Sequence, residues 1–563
     1  MPTSFKAVAE LGEKLDSTTK RLFKISTVAS FLKNLEPDEV EPAVLMILGR
    51  PFPKWDQRTL EVSWATLSDM IQRISGVDWK VFSEAFGQTG DVGSATKTVF
   101  ERSGIKKQTA LIESPLTVLE VKKSFEKIAE TSGSGSRTRK ERLIEALLSK
   151  ASPLEAKYLV KIFIGDMRTG FHEGLMEQSV SQAFSVPLKT VQEASMISGD
   201  VGAVASILRT EGAEGLRRVQ FHVFRPVSLM LAQMANSIEE ALEEHGGKSA
   251  FEYKYDGARV QIHKADGEVK IFSRRLTDVT ESLPEIVELA KNLRVREVIL
   301  EGEVVAVDER GFPIPFQHLM RRFRRVHDIA GMAEKIPLRL YLFDLLYLNG
   351  ENMVSETYIQ RRERLAEVAD GISLTSQLVT GKLDFAERFL KDAMDAGHEG
   401  LMAKRLDSPY TPGVRGKRWL KIKPVLEPLD LVVVAAEWGY GRRHGWLSDY
   451  YLAARDSESG EFQVIGKTFK GLTDAEIIEM TKLLKDLTVK VESRRVVVVP
   501  KIVVEVAYNE VQESPTYESR MALRFARITR IREDKLPEEA DTIQRVREIY
   551  ERQFSKKGRY MTG

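Results

Sequence analysis

The stretch Glu252–Arg259 reads EYKYDGAR and lies inside a hydrophobic, strand-like part of the chain. Lys254 stands shortly before an Asp-Gly pair, and Arg259 follows it closely. A lysine amine is almost entirely protonated at neutral pH, so it attacks phosphorus only when neighbouring cations, a metal or desolvation lower its pKa. Arg259 is the nearest cation for that task. The stretch therefore predicts a nucleophilic lysine, and the alternative is a hairpin turn with solvated charges, because Asp-Gly is also a turn signal.

Charged residues recur on further strand-like segments, where a globular core normally holds apolar side chains. They are Arg274 and Arg275 after VKIFS, Glu301 and Glu303 in VILEGEVVAV, Glu399 in HEGLMAK, and Lys421 and Lys423 in WLKIKP. Period-2 alternation places the two glutamates of VILEGEVVAV on one face of a strand, and the two lysines of WLKIKP likewise. Buried charge is costly unless it is paired with opposite charge, a metal or phosphate. Together these segments predict one cleft that holds a phosphate ester and a divalent cation.

One aromatic residue, Phe343, is a candidate for binding a base in the predicted cleft. Phe343, in the segment RLYLFDLLYLNG, offers an aromatic face on which a base could stack. The alternative is plain core packing, because an aromatic side chain in such an apolar run is more often part of the core.

The order of these motifs along the chain resembles that of a known family. KYDGAR, SRR, EGE, LFDLLY, HEGLMAK and WLKIKP, followed near the end by LRFARITRIREDK, are similar to the motif series of ATP-dependent DNA ligases of the archaeal replicative type. These are covalent nucleotidyltransferases, and they share their chemistry with RNA ligases and capping enzymes. The resemblance implies sealing of 5′-phosphate/3′-hydroxyl nicks in duplex DNA through lysyl-AMP and DNA-adenylate intermediates. It also implies roles in DNA replication, repair and recombination.

The resemblance implies a role for each site residue as well. Lys254 would carry the AMP, while Glu252 would accept from the adenine amino group and Phe343 would stack on the ring. Arg259 and Glu303 would lie near the ribose. Phosphate contacts are implied for Arg274, Arg415, Lys421 and Lys423. The implied cofactors are ATP and Mg²⁺, with Mn²⁺ as a possible substitute, and the implied metal carboxylates are Glu303 and Glu399.

Length and periodicity predict a multidomain protein. A chain of 563 residues is too long for one core. We expect an all-α DNA-binding domain over 1–219, where apolar residues recur at spacings of three and four. We expect an α+β nucleotidyltransferase (adenylation) domain over 220–424, where strands and helices alternate with antiparallel sheets. Short strands over 425–563 predict a small β-barrel with a C-terminal helix, and the resemblance names this barrel an OB-fold.

Composition limits the possible classes of protein. The 84 basic and 82 acidic residues give a net charge of +2, so a nucleic-acid-binding protein must concentrate its cations on one face. The absence of cysteine excludes disulfides, thiol catalysis and Cys-ligated zinc. It argues against the NAD-dependent bacterial type of ligase, for which the resemblance implies a Cys-rich zinc module. The charged fraction of 29% favours a thermophilic source. No run resembles a signal peptide or an apolar span of about 20 residues, so we expect a cytoplasmic protein. We further expect it to be nucleoid-associated and a monomer.

Several basic segments outside the catalytic motifs suggest contacts with nicked double-stranded DNA or a protein partner. The Ser-Gly loop and cations of 131–142, and Arg168 in GDMRTGFHEG, fit either DNA backbone phosphate or solvated turns. The cations between Arg524 and Lys535 are predicted to neutralise departing pyrophosphate. The segment KKQTALIE, Lys106–Glu113, fits either a docking site for a sliding clamp or an exposed loop.

Two other functions compete with this prediction. An RNA ligase or a capping-type guanylyltransferase would share the Lys254 chemistry, but it need not carry a large helical domain in front. A non-catalytic nucleic-acid-binding scaffold would explain the basic segments but not the acidic strand residues Glu303 and Glu399.

Overall fold

The computed structural model describes residues 2–103, 115–323, 331, 335–413, 415–423 and 426–554. The segment Lys106–Glu113 and the side chain of Arg415 lie outside this description. The N-terminal part is helical, as the periodicity predicts. Its helices are α1 Phe5–Asp16, α2 Arg21–Lys33, α3 Pro37–Ile47, α4 Trp64–Ser75, α5 Trp79–Thr89, α6 Val92–Arg102, α7 Val118–Glu130, α8 Ser136–Lys150, α9 Pro153–Ile164, α10 Glu173–Phe184, α11 Leu188–Ser198 and α12 Val201–Leu216.

Local sequence explains where several of these helices begin. Thr117 caps the start of α7 and Ser152 caps the start of α9, each with a capping box. The hydroxyl of the cap residue accepts from the backbone N–H of the third helical residue, and the glutamate at that position accepts from the backbone N–H of the cap residue. Gly212 interrupts α12 with a non-helical backbone conformation. The apolar faces of the helices meet in one core that extends from Phe5 to Leu216.

The middle part alternates strands and helices. Its elements are β1 Leu231–Met234, α13 Ile238–Glu244, β2 Ser249–Tyr253, β3 Ala258–Ala265, β4 Glu268–Ser273, α14 Pro284–Lys291, β5 Glu297–Ala306, α15 Phe316–Phe323, β6 Leu338–Leu348, β7 Glu351–Asn352, α16 Tyr358–Val368, β8 Gln377–Thr380, α17 Leu383–Asp395, β9 Leu401–Lys404 and β10 Arg415–Ile422. One sheet has the order β1-β10-β9-β2-β8, and the other has the order β4-β3-β5-β6-β7. All pairs are antiparallel except β1 with β10.

Lys254 lies between these two sheets, in the turn that joins β2 to β3. Its backbone N–H donates to the Gly400 carbonyl at 2.8 Å, and the Glu399 N–H donates to the Lys254 carbonyl at 2.9 Å. Gly400 has a φ of +140°, and a Cβ there would lie 2.2 Å from the Ile422 carbonyl oxygen. Only glycine fits this close approach, which holds the turn of Glu399 and Gly400 against the end of β10, while the two backbone hydrogen bonds tie that turn to the turn of Lys254.

The C-terminal part is rich in strands. Its elements are β11 Leu429–Trp438, β12 Leu447–Arg455, β13 Phe462–Thr468, α18 Asp474–Asp486, β14 Thr488–Glu492, β15 Arg495–Ala507, β16 Glu510–Glu513, β17 Met521–Arg524, β18 Arg527–Ile531 and α19 Ile543–Phe554. The main sheet has the order β13-β12-β11-β15-β14, with β18 added to β15, and β16 and β17 form a separate hairpin. No closed barrel is present among the described residues, so the OB-fold stays a prediction. Among the helices that the structure describes, none combines the length and the apolar character needed to cross a lipid bilayer.

Candidate active site

A cavity of about 1470 Å³ lies between the middle and C-terminal parts. Eight of the predicted site residues line it together with the predicted nucleophile Lys254: Glu252, Arg259, Arg274, Glu303, Phe343, Glu399, Lys421 and Lys423. Arg415 begins β10, and its side chain lies outside the description. Residues that are far apart in the sequence therefore meet in one cleft, as the alternation of charge along the strands predicts.

The amine of Lys254 is held by a carboxylate. Its Nζ pairs with Glu399, and Lys423 Nζ pairs with the same carboxylate at 2.5 Å. Burial alone would lower the pKa of Lys254, but the negative charge and hydrogen bond of Glu399, with Glu303 and Asp256 nearby, raise it above its ordinary value. The amine is therefore an ammonium ion in this arrangement.

The prediction that Arg259 lowers the pKa of Lys254 is wrong. The Arg259 guanidinium is directed to Glu301 at 2.7 Å and to the Met230 carbonyl at 2.7 Å. Its positive charge is therefore neutralised by another carboxylate, while Glu399 dominates the field at the amine.

The two predicted metal carboxylates differ in their titration. Burial raises the pKa of Glu303 to about 7, despite the attraction of Lys254 and Arg259. Burial also acts on Glu399, but Lys254 and Lys423 hold its pKa far below the ordinary range. Within the described ranges, no group of three or more His, Cys, Asp or Glu side chains could hold a metal ion. Two carboxylates nevertheless offer the oxygen ligands that Mg²⁺ and Mn²⁺ prefer.

The raised pKa of Glu303 leads to a pH-dependent stability. The folded state binds this proton more tightly than the unfolded state does, since the pKa rises from 4.5 to about 7. The resulting stability is fully present below the unfolded pKa and is lost as pH rises through about 7. We expect Glu303→Gln to raise the melting temperature at about pH 8, corresponding to roughly 1–2 kcal/mol, with a much smaller effect at about pH 5. Calorimetry in metal-free buffer would measure this.

The matched control for that measurement is Glu309→Gln. Glu309 is exposed, so its replacement should change the melting temperature little at either pH. Destabilisation by Glu303→Gln at about pH 8 would show that the ionised carboxylate supports the fold.

The end of the cavity near Phe343 carries a buried polar network. Glu252 is 1% exposed, pairs with Lys404 at 2.8 Å and accepts a hydrogen bond from the Tyr358 hydroxyl. Lys404 Nζ lies 4.7 Å from the centroid of the Phe343 ring. Trp419 stands edge-on to that ring at 6.1 Å. An aromatic face beside a carboxylate acceptor suits a base with an exocyclic amino group.

Sequence reasoning missed three residues of this network. Lys404 and Trp419 stand in HEGLMAK and WLKIKP, the motifs that supplied Glu399, Lys421 and Lys423, but no role was assigned to them. Lys404 ends an apolar strand, which was a usable signal because a lysine in such a place needs a buried partner. Tyr358 opens a helix and carries no comparable signal.

The C-terminal part covers one side of the cavity. Its lining residues there are Leu426, Glu427, Tyr508, Asn509, Glu510, Arg524, Phe525, Arg545, Ile549, Arg552 and Gln553. Arg524 pairs with Glu510 at 3.2 Å. The predicted cation segment also contains Arg532 and Lys535, which pair with Asp430 at 3.0 and 2.7 Å and do not line the cavity. The anionic partner of these two cations is therefore internal in this conformation.

The predicted DNA-contacting cations also have partners within the protein. In α8, Arg139 donates to the carbonyl of Ser132 at 2.7 Å, and Lys140 pairs with Glu61 at 2.6 Å. The cations of this segment lie in the first two turns of α8.

Arg168 lies where the N-terminal and C-terminal parts touch. It pairs with Asp166 at 2.7 Å and donates to the Gly90 carbonyl. A Cβ at Gly90 would lie 2.6 Å from the Gly441 nitrogen, so these two backbones are in direct contact. The DNA contact predicted for Arg168 stays a prediction.

Sequence models of three protein regions match the chain. The one described as DNA ligase N terminus matches residues 4–181. The one described as ATP dependent DNA ligase domain matches residues 229–423, which include Lys254 and the other predicted site residues. The one described as ATP dependent DNA ligase C terminal region matches residues 443–535.

Curated proteins are similar over almost the full length. The DNA ligase of Thermococcus fumicolans is 46% identical over 550 residues, which cover 97% of this chain and 98% of that protein. DNA ligase 1 of Korarchaeum cryptofilum is 48% identical over 554 residues, which cover 98% of this chain and 99% of that protein. A solved structure named Pmar-Lig_PreS3 covers 93% of this chain and 99% of its own, with a TM-score of 0.55 at 18% identity, and shows similarity of fold alone.

Proposed function

Because this chain belongs to the family of ATP-dependent DNA ligases, we propose that it seals 5′-phosphate/3′-hydroxyl nicks in duplex DNA at the expense of ATP. The observation that carries the proposal is the meeting of Lys254 with Glu399 and Lys423 inside a large cleft. A half-buried lysine among carboxylates and cations suits nucleophilic attack on a phosphate ester. A scaffold that only binds DNA would have no need of this costly arrangement.

In the first step Lys254 Nζ attacks the α-phosphorus of ATP, forming a phosphoramidate while pyrophosphate leaves. The Lys254 ammonium must first give up a proton, to Glu399 or to water, and leave its ion pair with Glu399, since only the neutral amine is nucleophilic. A divalent cation held by Glu303 and Glu399 would supply neutralising charge to the phosphates. Lys421 lies in β10 and Lys423 directly follows it, and both line the cavity, where they can orient the phosphate oxygens.

The later steps reuse the same cavity. A nick's 5′-phosphate attacks the lysyl adenylate, and the 3′-hydroxyl then attacks the activated phosphate so that AMP leaves. Each step is an in-line displacement at phosphorus, in which positioning and electrostatics supply most of the rate. Because the C-terminal part covers the cavity, it must move aside to admit DNA.

We also propose the roles of the residues at the nucleoside end. Glu252 accepts from the adenine amino group and Phe343 stacks on the ring, supported by their places on the cavity wall. Arg259 and Glu303 lie near the ribose. Further phosphate contacts are proposed for Arg274 and Arg415.

The domain boundaries 1–219, 220–424 and 425–563 are likewise a proposal. Separate apolar cores support it, since one lies within Phe5–Leu216 and another within the strands and helices after Leu426. An OB-fold is proposed for the last domain. Mg²⁺ as the metal, docking of a sliding clamp at Lys106–Glu113, the monomeric state, the nucleoid location, and roles in replication, repair and recombination stay predictions.

Replacement of Gly400 tests the fixed approach of the two turns around Lys254. In Gly400→Ala the new Cβ would clash with the Ile422 carbonyl and displace both Glu399 and the backbone that holds Lys254. A displacement of about 1 Å near reacting groups is worth about 10²-fold in rate, so we expect enzyme–AMP formation to slow by roughly that factor. Single-turnover labelling with α-³²P-ATP would measure it. Gly350→Ala is the control, because Gly350 also has a positive φ, of +98°, but no atom within 4 Å of a new Cβ, so it brings backbone strain without a clash; equal loss in both variants would contradict the explanation.

A sealing assay tests the proposed function itself. Purified protein with Mg²⁺ and a nicked DNA duplex should join the strands when ATP is added and should not do so with NAD⁺ or GTP. Joining of RNA nicks alone, or covalent label from GTP alone, would instead support an RNA ligase or a capping-type enzyme. No covalent label from any nucleotide would support the scaffold.

A further inference from the structure

Both oxygens of the Glu252 carboxylate have hydrogen-bond donors or cations from the protein beside them. Its Oε1 accepts from the Tyr358 hydroxyl and, at 3.4 Å, from the Gln377 amide. Its Oε2 pairs with Lys404 at 2.8 Å. Arg362 approaches Oε1 at 3.7 Å. Tyr358, Gln377 and Lys404 thus donate to the carboxylate, and Arg362 adds positive charge at longer range, so these contacts hold Glu252 as a hydrogen-bond acceptor.

A second hydrogen bond, from Gln377, fixes the direction of the hydrogen bond between Tyr358 and Glu252. Gln377 Nε2 donates to the Tyr358 oxygen at 2.6 Å. An amide nitrogen cannot accept, so the phenol proton must point to Glu252. Burial and the neighbouring Glu252 raise the pKa of Tyr358 well above its ordinary value, which keeps the phenol a donor. Tyr358 is 0% exposed and does not line the cavity, so it acts through Glu252.

Two buried arginines fix α16, and with it the position of this hydroxyl. Arg361 binds Asp344 with two hydrogen bonds of 2.7 and 3.1 Å, and both side chains are 0% exposed. Arg362 donates to the hydroxyl and carbonyl oxygens of Thr375 at 2.9 and 2.6 Å. The first turn of the helix, which Tyr358 opens, therefore has little freedom to shift.

We infer that Tyr358 is a positioning residue for nucleotide selection, which locks the Glu252 carboxylate in the orientation that accepts from a 6-amino purine. This inference rests on the proposed function and deepens it. An acceptor held rigidly at this place pairs with the amino group of adenine and faces the 6-oxo oxygen of guanine with repulsion. A site built around a fixed polar partner rejects analogues that lack the matching group.

The test compares ATP with GTP and with purine riboside 5′-triphosphate, which lacks the 6-amino group. In Tyr358→Phe we expect the KM for ATP in enzyme–AMP formation to rise roughly tenfold, since one hydrogen bond to a buried carboxylate is lost. The preference for ATP over purine riboside triphosphate should fall by a similar factor, with little change in kcat. A purely structural role would lower kcat for all nucleotides alike.

Two further variants complete the test. Tyr347→Phe removes a similar tyrosine–glutamate hydrogen bond, of 2.9 Å to Glu297, from outside the cavity lining and should leave KM and nucleotide preference unchanged. Gln377→Met removes the amide that donates to the Tyr358 oxygen, and so disturbs the chain of hydrogen bonds Gln377–Tyr358–Glu252 at its other end. It should lower the preference for ATP over purine riboside triphosphate, as Tyr358→Phe does. If Tyr358→Phe does not fold, this variant tests the inference in its place.

An unchanged preference for ATP in both Tyr358→Phe and Gln377→Met would overturn the inference, and so would an equal change in Tyr347→Phe. Failure of the proposed function would look different, because the wild-type protein itself would then form no enzyme–AMP.

Discussion

Replacing Lys254 by arginine is expected to reduce formation of the covalent enzyme–AMP by at least about 10⁴-fold, the scale of loss when a covalent nucleophile is removed. Arginine keeps the positive charge that pairs with Glu399, so the fold around the cavity should remain intact. Its guanidinium stays protonated at every accessible pH and cannot attack phosphorus. Labelling with α-³²P-ATP under single-turnover conditions would measure the loss.

Lys248→Arg is the matched control for this experiment. Lys248 is exposed and immediately precedes β2, the strand that leads to Lys254. It should label at the wild-type rate. Substantial labelling of Lys254→Arg would place the nucleophile elsewhere and would remove the basis of the proposed mechanism.

Replacing Glu399 by glutamine is expected to have two opposing effects on the same step. Without the carboxylate, the pKa of Lys254 should fall, because Glu399 is what raises it against the effect of burial. That change favours the neutral amine, and each unit is worth about tenfold. Loss of a metal carboxylate removes several kcal/mol of charge stabilisation. We therefore expect a net loss of roughly 10²-fold, with the remaining activity rising at lower pH than in the wild type.

The pH–rate profile of enzyme–AMP formation separates these effects. Since the neutral amine reacts, the rate rises with pH up to the pKa of Lys254, and this rise should move to lower pH in Glu399→Gln. Glu244→Gln removes the carboxylate from an exposed pair with Lys417 at 2.7 Å and should leave the profile in place. A profile that moves to higher pH in Glu399→Gln would contradict the ion pair seen here.

The composition of the candidate site was predictable because its motifs place charged residues on apolar strands or directly beside them; Lys254, Glu399 and Lys423 lie just outside the strands. Lys421 and Lys423 alternate in WLKIKP, and both line the cavity as period-2 geometry requires. Glu301 and Glu303 alternate in the same way, yet only Glu303 reaches the cavity lining, while Glu301 is taken by Arg259. Alternation gives the face of a strand, but the partner depends on contacts between distant segments.

The same limit explains the other differences between expectation and structure. The pKa of Lys254 depends on whether Glu399 or Arg259 faces the amine, and no local pattern specifies that choice. Tyr358 meets Glu252 across more than a hundred residues of chain, so their hydrogen bond was invisible in the sequence. The helical and strand-rich parts were predictable from periodicity, whereas closure of a barrel depends on long-range pairing of strands.

The most direct test of the central claim is to locate the AMP. The protein would be incubated with Mg²⁺ and ATP, digested, and its peptides examined by mass spectrometry before and after addition of nicked DNA. We predict AMP on Lys254 alone, discharged as nicks are sealed. AMP on another residue, AMP on none, or an adenylate that nicked DNA fails to discharge would contradict the mechanism.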